Sequence, residues 1–436
     1  MHYWDSLETF EALRNQALHG HLSVGEALLR TKVLERPTMR IYFGPPGTGK
    51  TLFAVRDAVR LADPGWTPSE PDKFATEAFD RFWKIGERVE FVTFSPSDQY
   101  ETVVEAVRPY LELADATANA ATPQGGQDTP ATEQKSLAYQ YWVGPVLRII
   151  RRARDHPTEQ HVLIIDEINR ADISQVLGPL IAAIEADKRL GSIFPVPFNV
   201  RYDREASHEW VPANLHVIGT MNSADRNIAL VDVALRRRFE FARLNPDDSL
   251  VSEWTTDAAV AERLSPRRLL RVLNLRISEL LGQDFTIGHS YLMSGTTNAA
   301  VVQAFATHIL PLLQEYFYGD DTALLLMVSE HPEDDPAQDR IFDITRTEAA
   351  DLNEIFGERI GGTAAAYLSG SGDTTPFRLK VRDAFWDSAA DPPRPADPQS
   401  AARALRKIYS HEGPAAEADE AVPGVEPAAP DQAPES

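Results

Sequence analysis

A chain of 436 residues, 43% hydrophobic and 25% charged, has the composition of a soluble globular protein of two or three domains. Its lack of cysteine excludes a disulfide framework, a thiolate nucleophile and any cysteine-based metal site. A net charge of −22 excludes a surface that grips nucleic acid over its whole extent and leaves room only for a local patch.

The opening MHYWDSLETFEALRNQ lacks the basic start and apolar run of a secretion signal, and no apolar run approaches the ~20 residues of a membrane helix. A cytoplasmic location without membrane contact is expected. Residues 1–35 predict one or two short amphipathic helices, with Leu13, Leu18, Leu22, Val24, Leu28 and Leu29 among polar neighbours, and Pro37 ends this extension. MRIYF (39–43) predicts a buried strand, Thr51 to about Leu61 a helix, and residues 64–86 a loop and helix punctuated by Pro64, Pro68 and Pro71. RVEFVTF (88–94) predicts a second strand and YETVVEAVRPYLEL (100–113) a helix. Residues 114–135, rich in Ala, Thr, Gln and Pro, form a flexible insertion.

A helix from Tyr139 to Arg154 then leads to the strand HVLIID (161–166), a helix over 173–187, a hairpin from Ser192 to Trp210 and the strand LHVIGT (215–220). Strands alternating with helices predict an α/β domain over 38–247, built on a three-layer parallel sheet. Residues 248–328 are helical without strands, a small separate domain. Residues 329–408 are mixed, with strand-like IFDIT and FRLKV, and 409–436 form an acidic tail whose composition predicts disorder.

GPPGTGKT, covering Gly44, Pro45, Pro46, Gly47, Thr48, Gly49, Lys50 and Thr51, fits G-x-x-x-x-G-K-[ST] at every position, between a strand and a helix. The glycines let backbone N–H groups curl around a β-phosphate at a helix N-terminus; Lys50 would bridge the β- and γ-phosphates and Thr51 would ligate Mg²⁺. A chance glycine-rich turn is the bland alternative, and the flanking strand and helix argue against it. HVLIID ends in Asp166, followed by Glu167: Asp166 can hold Mg²⁺ beside Thr51, and Glu167 can orient and polarise the attacking water. Acidic pairs often follow strands, but beside a phosphate loop this one favours hydrolysis over mere binding.

In GTMNSADRNIALVDVALRRRF (219–239), Asn222 ends another strand, where an amide can hold that same water. In the helix that follows, Ile228, Val231 and Leu235 recur at core spacing, and Arg236, Arg237 and Arg238 close it. Three cations at a helix C-terminus stabilise its dipole by a few tenths to ~1 kcal/mol. The sharper reading is that one of them reaches the γ-phosphate of an adjacent subunit, with Arg237 or Arg238 favoured as nearest the helix end.

The set GPPGTGKT, FVTFSPSDQYETVVEAVRP, LIIDEINRAD, IEADKR, VPANLHVIGTMNSADRNIALVDVALRRRFEF, IGHSYL and ILPLLQEYFYG resembles the AAA+ motor subunit of McrBC-type modification-dependent restriction systems, over about residues 38–320. MNSADRN, similar to the branch's MNTADRS, is its most specific piece, and KIYS (407–410) is similar to the family's C-terminal end. The resemblance implies a P-loop NTPase domain followed by a helical lid, and a GTP- or ATP-driven hexameric ring of this chain. It also implies a separate McrC-like nuclease subunit and DNA held through the assembled complex. Within the chain, Asn222 and Asp225 would shape the hydrolytic site, and a hairpin near 192–210 would face the ring pore. Pro179, Ser95 and Asn227 depart from the family's pattern without touching the catalytic set.

About 37 residues precede the first strand, so no modified-base reader is expected and this chain alone should not select methylated DNA. Glu133-Gln134-Lys135 lies in the insertion and is not read as a nuclease motif. His289 could be a functional lid residue or a hydrogen-bonded structural one. The alternative function is a MoxR-like ATPase remodelling protein complexes; a ring that binds nucleotide without turnover is a third, against which the intact Asp166-Glu167 pair speaks.

Overall fold

The computed structural model describes residues 37–70, 73–113, 135–192, 194–203, 208–225, 236–256, 263–335, 338–346, 354, 357 and 377–410. The expected N-terminal helices, most of the 114–135 insertion, the helix over 226–235 and the acidic tail past 410 lie outside these residues. By contacts the chain divides into two units, residues 1–44 with 49–244, and residues 45–48 with 245–436.

In the first unit β1 (Met39–Gly44) runs into the phosphate loop and α1 (Lys50–Ala62), followed by α2 (Phe74–Ile85), β2 (Val89–Thr93), α3 (Tyr100–Val103), β3 (Glu105–Leu113), β4 (Lys135–Val143), α4 (Pro145–Asp155) and β5 (His161–Asp166). Next come α5 (Ile173–Val176), α6 (Gly178–Ile181), the two-residue strands β6 (Phe198–Asn199) and β7 (His208–Glu209), β8 (Leu215–Asn222) and β9 (Glu240–Arg243). Five of the strands form one parallel sheet in the order β2-β5-β8-β1-β9. Side chains alternate across it: Ile41, Leu163, Ile165 and Val217 pack with α4, while Tyr42, Val162, Ile164 and Ile218 pack with α1 and α2. Burial on both faces is why the strands read as continuous apolar runs. α1 turns Ala54, Val55, Ala58, Val59 and Ala62 to the sheet, the one-sided stripe of an amphipathic helix.

Three expectations are corrected. Residues 100–113 are helical only to Val103; Glu105–Leu113 is a strand paired antiparallel along its length with Lys135–Val143. The helix expected from Tyr139 therefore starts only at Pro145, a proline that sits well in a first helical turn because it has no N–H to satisfy. The helix expected over 173–187 is broken into two one-turn pieces, with Pro179 inside the second. The strand at 240–243, pairing with the outer side of β1, was not anticipated. At the foot of the β3–β4 ribbon Glu105, fully buried, accepts hydrogen bonds from the Tyr100 hydroxyl (2.8 Å), the Tyr141 hydroxyl (3.1 Å) and the backbone N–H groups of Arg201 and Tyr202.

The second unit is helical: α7 (Pro266–Leu280), α8 (Asn298–Ala304), α9 (Leu310–Tyr316) and α10 (Asp321–Val328), joined by the antiparallel pair β10 (Phe342–Arg346) and β11 (Phe377–Val381) and by α11 (Pro398–Tyr409). Ser265 caps α7 by accepting from the Arg268 N–H. A π-turn, Phe305–Ile309, links α8 to α9, with the Leu310 N–H bonded to the Phe305 carbonyl, just before Pro311, which has no N–H to give. α11 shares one core with the helices before it: Ala401, Leu405, Ile408 and Tyr409 are buried beside Leu270, Leu273 and Phe305. The Tyr409 hydroxyl accepts from the Ser265 N–H at 3.1 Å.

Candidate nucleotide site

Three strand ends carry the site. Parallel pairing sets Gly44 opposite Asn222 and Thr93 opposite Asp166, so the phosphate loop, the acidic pair and the amide emerge at the sheet's carboxyl edge, the usual ligand-binding side of such sheets. Gly47 (φ 77°) and Gly49 (φ 82°) adopt left-handed backbone that glycine tolerates best, and Gly49 sits immediately before α1. Across the loop the Thr48 hydroxyl donates to the Pro45 carbonyl at 2.9 Å, and Lys50 Nζ donates to the Gly44 carbonyl at 3.0 Å. Burial pulls the Lys50 ammonium below its ordinary pKa, against the opposing pull of Glu167, Asp166 and Asp225.

The Thr51 hydroxyl donates to Asp166 Oδ1 at 3.2 Å. Two hard oxygen donors side by side, one charged, fit a magnesium ion, which when bound would offset phosphate charge. Asp166 Oδ1 also accepts from the Thr220 hydroxyl at 2.6 Å, and the same Thr220 oxygen accepts from the Glu167 N–H at 3.1 Å. Glu167 takes positive φ (54°), uncommon for a residue with a side chain and of the kind that clusters at functional sites. Its Oε2 is buried without a hydrogen-bond partner; Arg170 Nε stands 3.5 Å away, within ion-pair reach but not aligned to bond. Burial raises the Glu167 pKa, Arg170 opposes that, and Asp166 and Asp225 add to it.

Asn222 accepts from the Ala224 N–H at 3.4 Å and Asp225 lies 3.8 Å from Arg170, so both belong to the same edge as Glu167. Asn169 Nδ2 donates to the Asn222 carbonyl at 3.4 Å, and the Ser223 N–H to the Gly44 carbonyl at 3.0 Å. The three arginines divide. Arg238 is ion-paired with Glu185, which Lys188 also meets at 2.8 Å, whereas Arg236 and Arg237 are exposed. His289 is buried and accepts from the Asp247 N–H at 3.1 Å, with burial lowering its pKa, as a structural histidine would. In the hairpin region, β6 and β7 pair antiparallel, while Ile193 and residues 204–207 lie outside the described residues.

Sequence reasoning missed Thr220, Arg170 and Glu185. The only signal for Thr220 was a polar residue near the carboxyl end of a mainly apolar strand. Arg170 and Glu185 stand in motifs quoted for their family resemblance, LIIDEINRAD and IEADKR, but nothing in their spacing told that each would meet a site residue.

A phosphate loop between strand and helix, an acidic pair and an amide on neighbouring strand ends, and a helical unit after them define a P-loop nucleoside triphosphatase of the AAA+ class. The AAA domain of the dynein-related subfamily matches residues 109–239, and the alpha-helical lid domain of McrB matches residues 265–324. The chain is an AAA+ protein whose lid is similar to that of McrB. It is 30% identical over 317 residues to the Type IV methyl-directed restriction enzyme EcoKMcrB subunit of Escherichia coli (strain K12), covering 69% of this chain and 58% of that protein. It is 27% identical over 230 residues to the Type II restriction enzyme BsuMI component YdiS of Bacillus subtilis (strain 168), covering 50% of this chain and 61% of that protein. The chain thus matches less than two thirds of the length of either relative. Among the described residues no helix is long and apolar enough to cross a membrane.

Proposed function

We propose that this chain hydrolyses GTP or ATP with Mg²⁺ as the motor subunit of a McrBC-like restriction complex, in a homo-oligomeric, hexameric ring joined by a separate nuclease subunit and acting on DNA through the assembly. The observation that carries the hydrolytic part is the Thr51–Asp166–Thr220 chain of hydrogen bonds, which ends on the backbone of Glu167, whose half-buried carboxylate keeps one buried oxygen without a hydrogen bond. In this reading Lys50 and the loop amides hold the phosphates, Thr51 and Asp166 hold the ion, and Glu167, with Asn222 and Asp225, orients the water. Similarity to two restriction-enzyme components and to the McrB lid supports a restriction setting over protein remodelling. Phosphate release measured with ATP and GTP side by side, with and without Mg²⁺, tests it: no turnover of either with the ion present would overturn hydrolysis. Light scattering with a non-hydrolysable analogue tests the ring, which a persistent monomer would exclude.

A further inference from the structure

The crown of the phosphate loop, Pro45–Thr48, belongs by its contacts with the second unit. We infer that Gly288 and Tyr291 are positioning residues for nucleotide binding: they fix the backbone shape of the crown without touching the nucleotide. The inference rests on the nucleotide-binding reading above. The Gly288 N–H donates to the Pro46 carbonyl at 2.8 Å and the Ser290 N–H to the Gly47 carbonyl at 3.1 Å, two backbone bonds from one short segment to consecutive loop residues. Both facing glycines are required. A methyl group on Gly288 would overlap the Gly47 carbonyl, and one on Gly47 would stand 2.6 Å from Tyr291 Cε2.

The segment is itself held from behind. His289 accepts from the Asp247 N–H, its carbonyl takes the Leu292 N–H at 3.1 Å, and the Tyr291 ring leans on His308 with centroids 6.2 Å apart. It is therefore a built brace. A phosphate loop binds by aiming several N–H groups at one anion, so its affinity depends on the crown's backbone being held ready in that shape. Tyr291 reaches Gly47 with its ring edge, so the ring and not the hydroxyl does the bracing.

The test is an equilibrium titration of the full-length chain with fluorescently labelled, non-hydrolysable GTP and ATP, together with melting temperatures without nucleotide. Gly288→Ala and Tyr291→Ala are expected to raise Kd by about tenfold or more. Tyr291→Phe is expected to bind as the wild type does. Leu292→Ala, a fully buried neighbour, is expected to lower the melting temperature and keep the wild-type Kd. Wild-type affinity in Tyr291→Ala, or an equal loss in Leu292→Ala, would overturn the bracing role. Lys50→Ala distinguishes the two levels. If it abolishes binding while Tyr291→Ala binds normally, only the bracing role fails; if it binds normally, the phosphate-loop reading fails and this inference with it.

Discussion

The hydroxyl of Thr220 joins the carboxylate of Asp166 to the backbone of Glu167, donating to the first at 2.6 Å and accepting from the N–H of the second at 3.1 Å. A single oxygen thus fixes both the direction of the Asp166 carboxylate, proposed to hold the ion, and the positive-φ backbone of Glu167, proposed as the base. Thr220→Val should keep the strand but free both groups. Steady-state phosphate release should fall by at least about tenfold, with Kd for nucleotide little changed and stability lower by about 1 kcal/mol. Unaltered turnover in that variant would show that Glu167 needs no such support.

Glu167→Gln should abolish hydrolysis and leave nucleotide binding nearly intact, because this side chain is assigned to water and the phosphates to Lys50 and the loop amides. The pH profile adds a sign. Burial raises the Glu167 pKa, so the base form is lost at a higher pH than in an ordinary exposed glutamate. The rate should therefore rise with pH through that raised value and then level off. A flat acid limb in the kcat profile would count against Glu167 as the base.

The arginines now have an order. Arg238 is committed to Glu185, so Arg238→Ala should act mainly through stability, lowering the melting temperature. Arg236 and Arg237 are the exposed pair. Of these Arg237→Ala is expected to be inactive alone and to regain turnover when mixed with Glu167→Gln, since each partner supplies the half the other lacks. Recovery from Arg238→Ala and none from Arg237→Ala in the same mixing assay would reverse the assignment. A trans arginine contributes about 10³–10⁵ in rate, so a coarse assay decides.

Glu330, buried, accepts from the N–H groups of Ile341 and Phe342, and burial pushes its pKa up to about 7 against the lowering effect of those bonds. Its folded pKa lies above its unfolded one, so the stability it contributes is fully present at low pH. That contribution fades as pH rises from the ordinary carboxylate range through about 7. The difference between wild type and Glu330→Gln in urea unfolding should therefore change across that interval, by about 3 kcal/mol in all. A pH-independent difference would show that the carboxyl group is not neutral in the folded protein.

Leu405→Ala should destabilise the helical unit by about 2–5 kcal/mol, the cost of emptying a fully buried leucine site. The transition to watch is that of the unit containing residues 245–410, since α11 shares its core.

Much of this was legible because the sheet's inner strands obey one rule: buried on both faces, HVLIID and LHVIGT are mainly apolar, and polar residues follow at their carboxyl ends. Asp166, Glu167 and Asn222 could be placed from that pattern together with the phosphate loop. The β3–β4 ribbon could not, because Tyr100, Val103, Val104 and Val107 recur at spacings a helix also satisfies, and Pro109 argues against a strand. Its partner strand, Lys135–Val143, lies beyond a 21-residue stretch outside the described residues. What settles residues 105–113 is that distant pairing, a long-range fact no local window contains. The Arg238–Glu185 pair is hidden in the same way, by residues far apart in sequence.

Glu105 has a mechanical consequence. One carboxylate at the foot of the long ribbon holds two tyrosine hydroxyls and, at the same time, the main chain of Arg201 and Tyr202, just past the strand that begins the second ribbon. Two projections that look independent along the chain are thus pinned on one axle. The root of the first ribbon and the segment after β6 therefore share one anchor, beside the Arg151–Asp203 ion pair that holds the same segment.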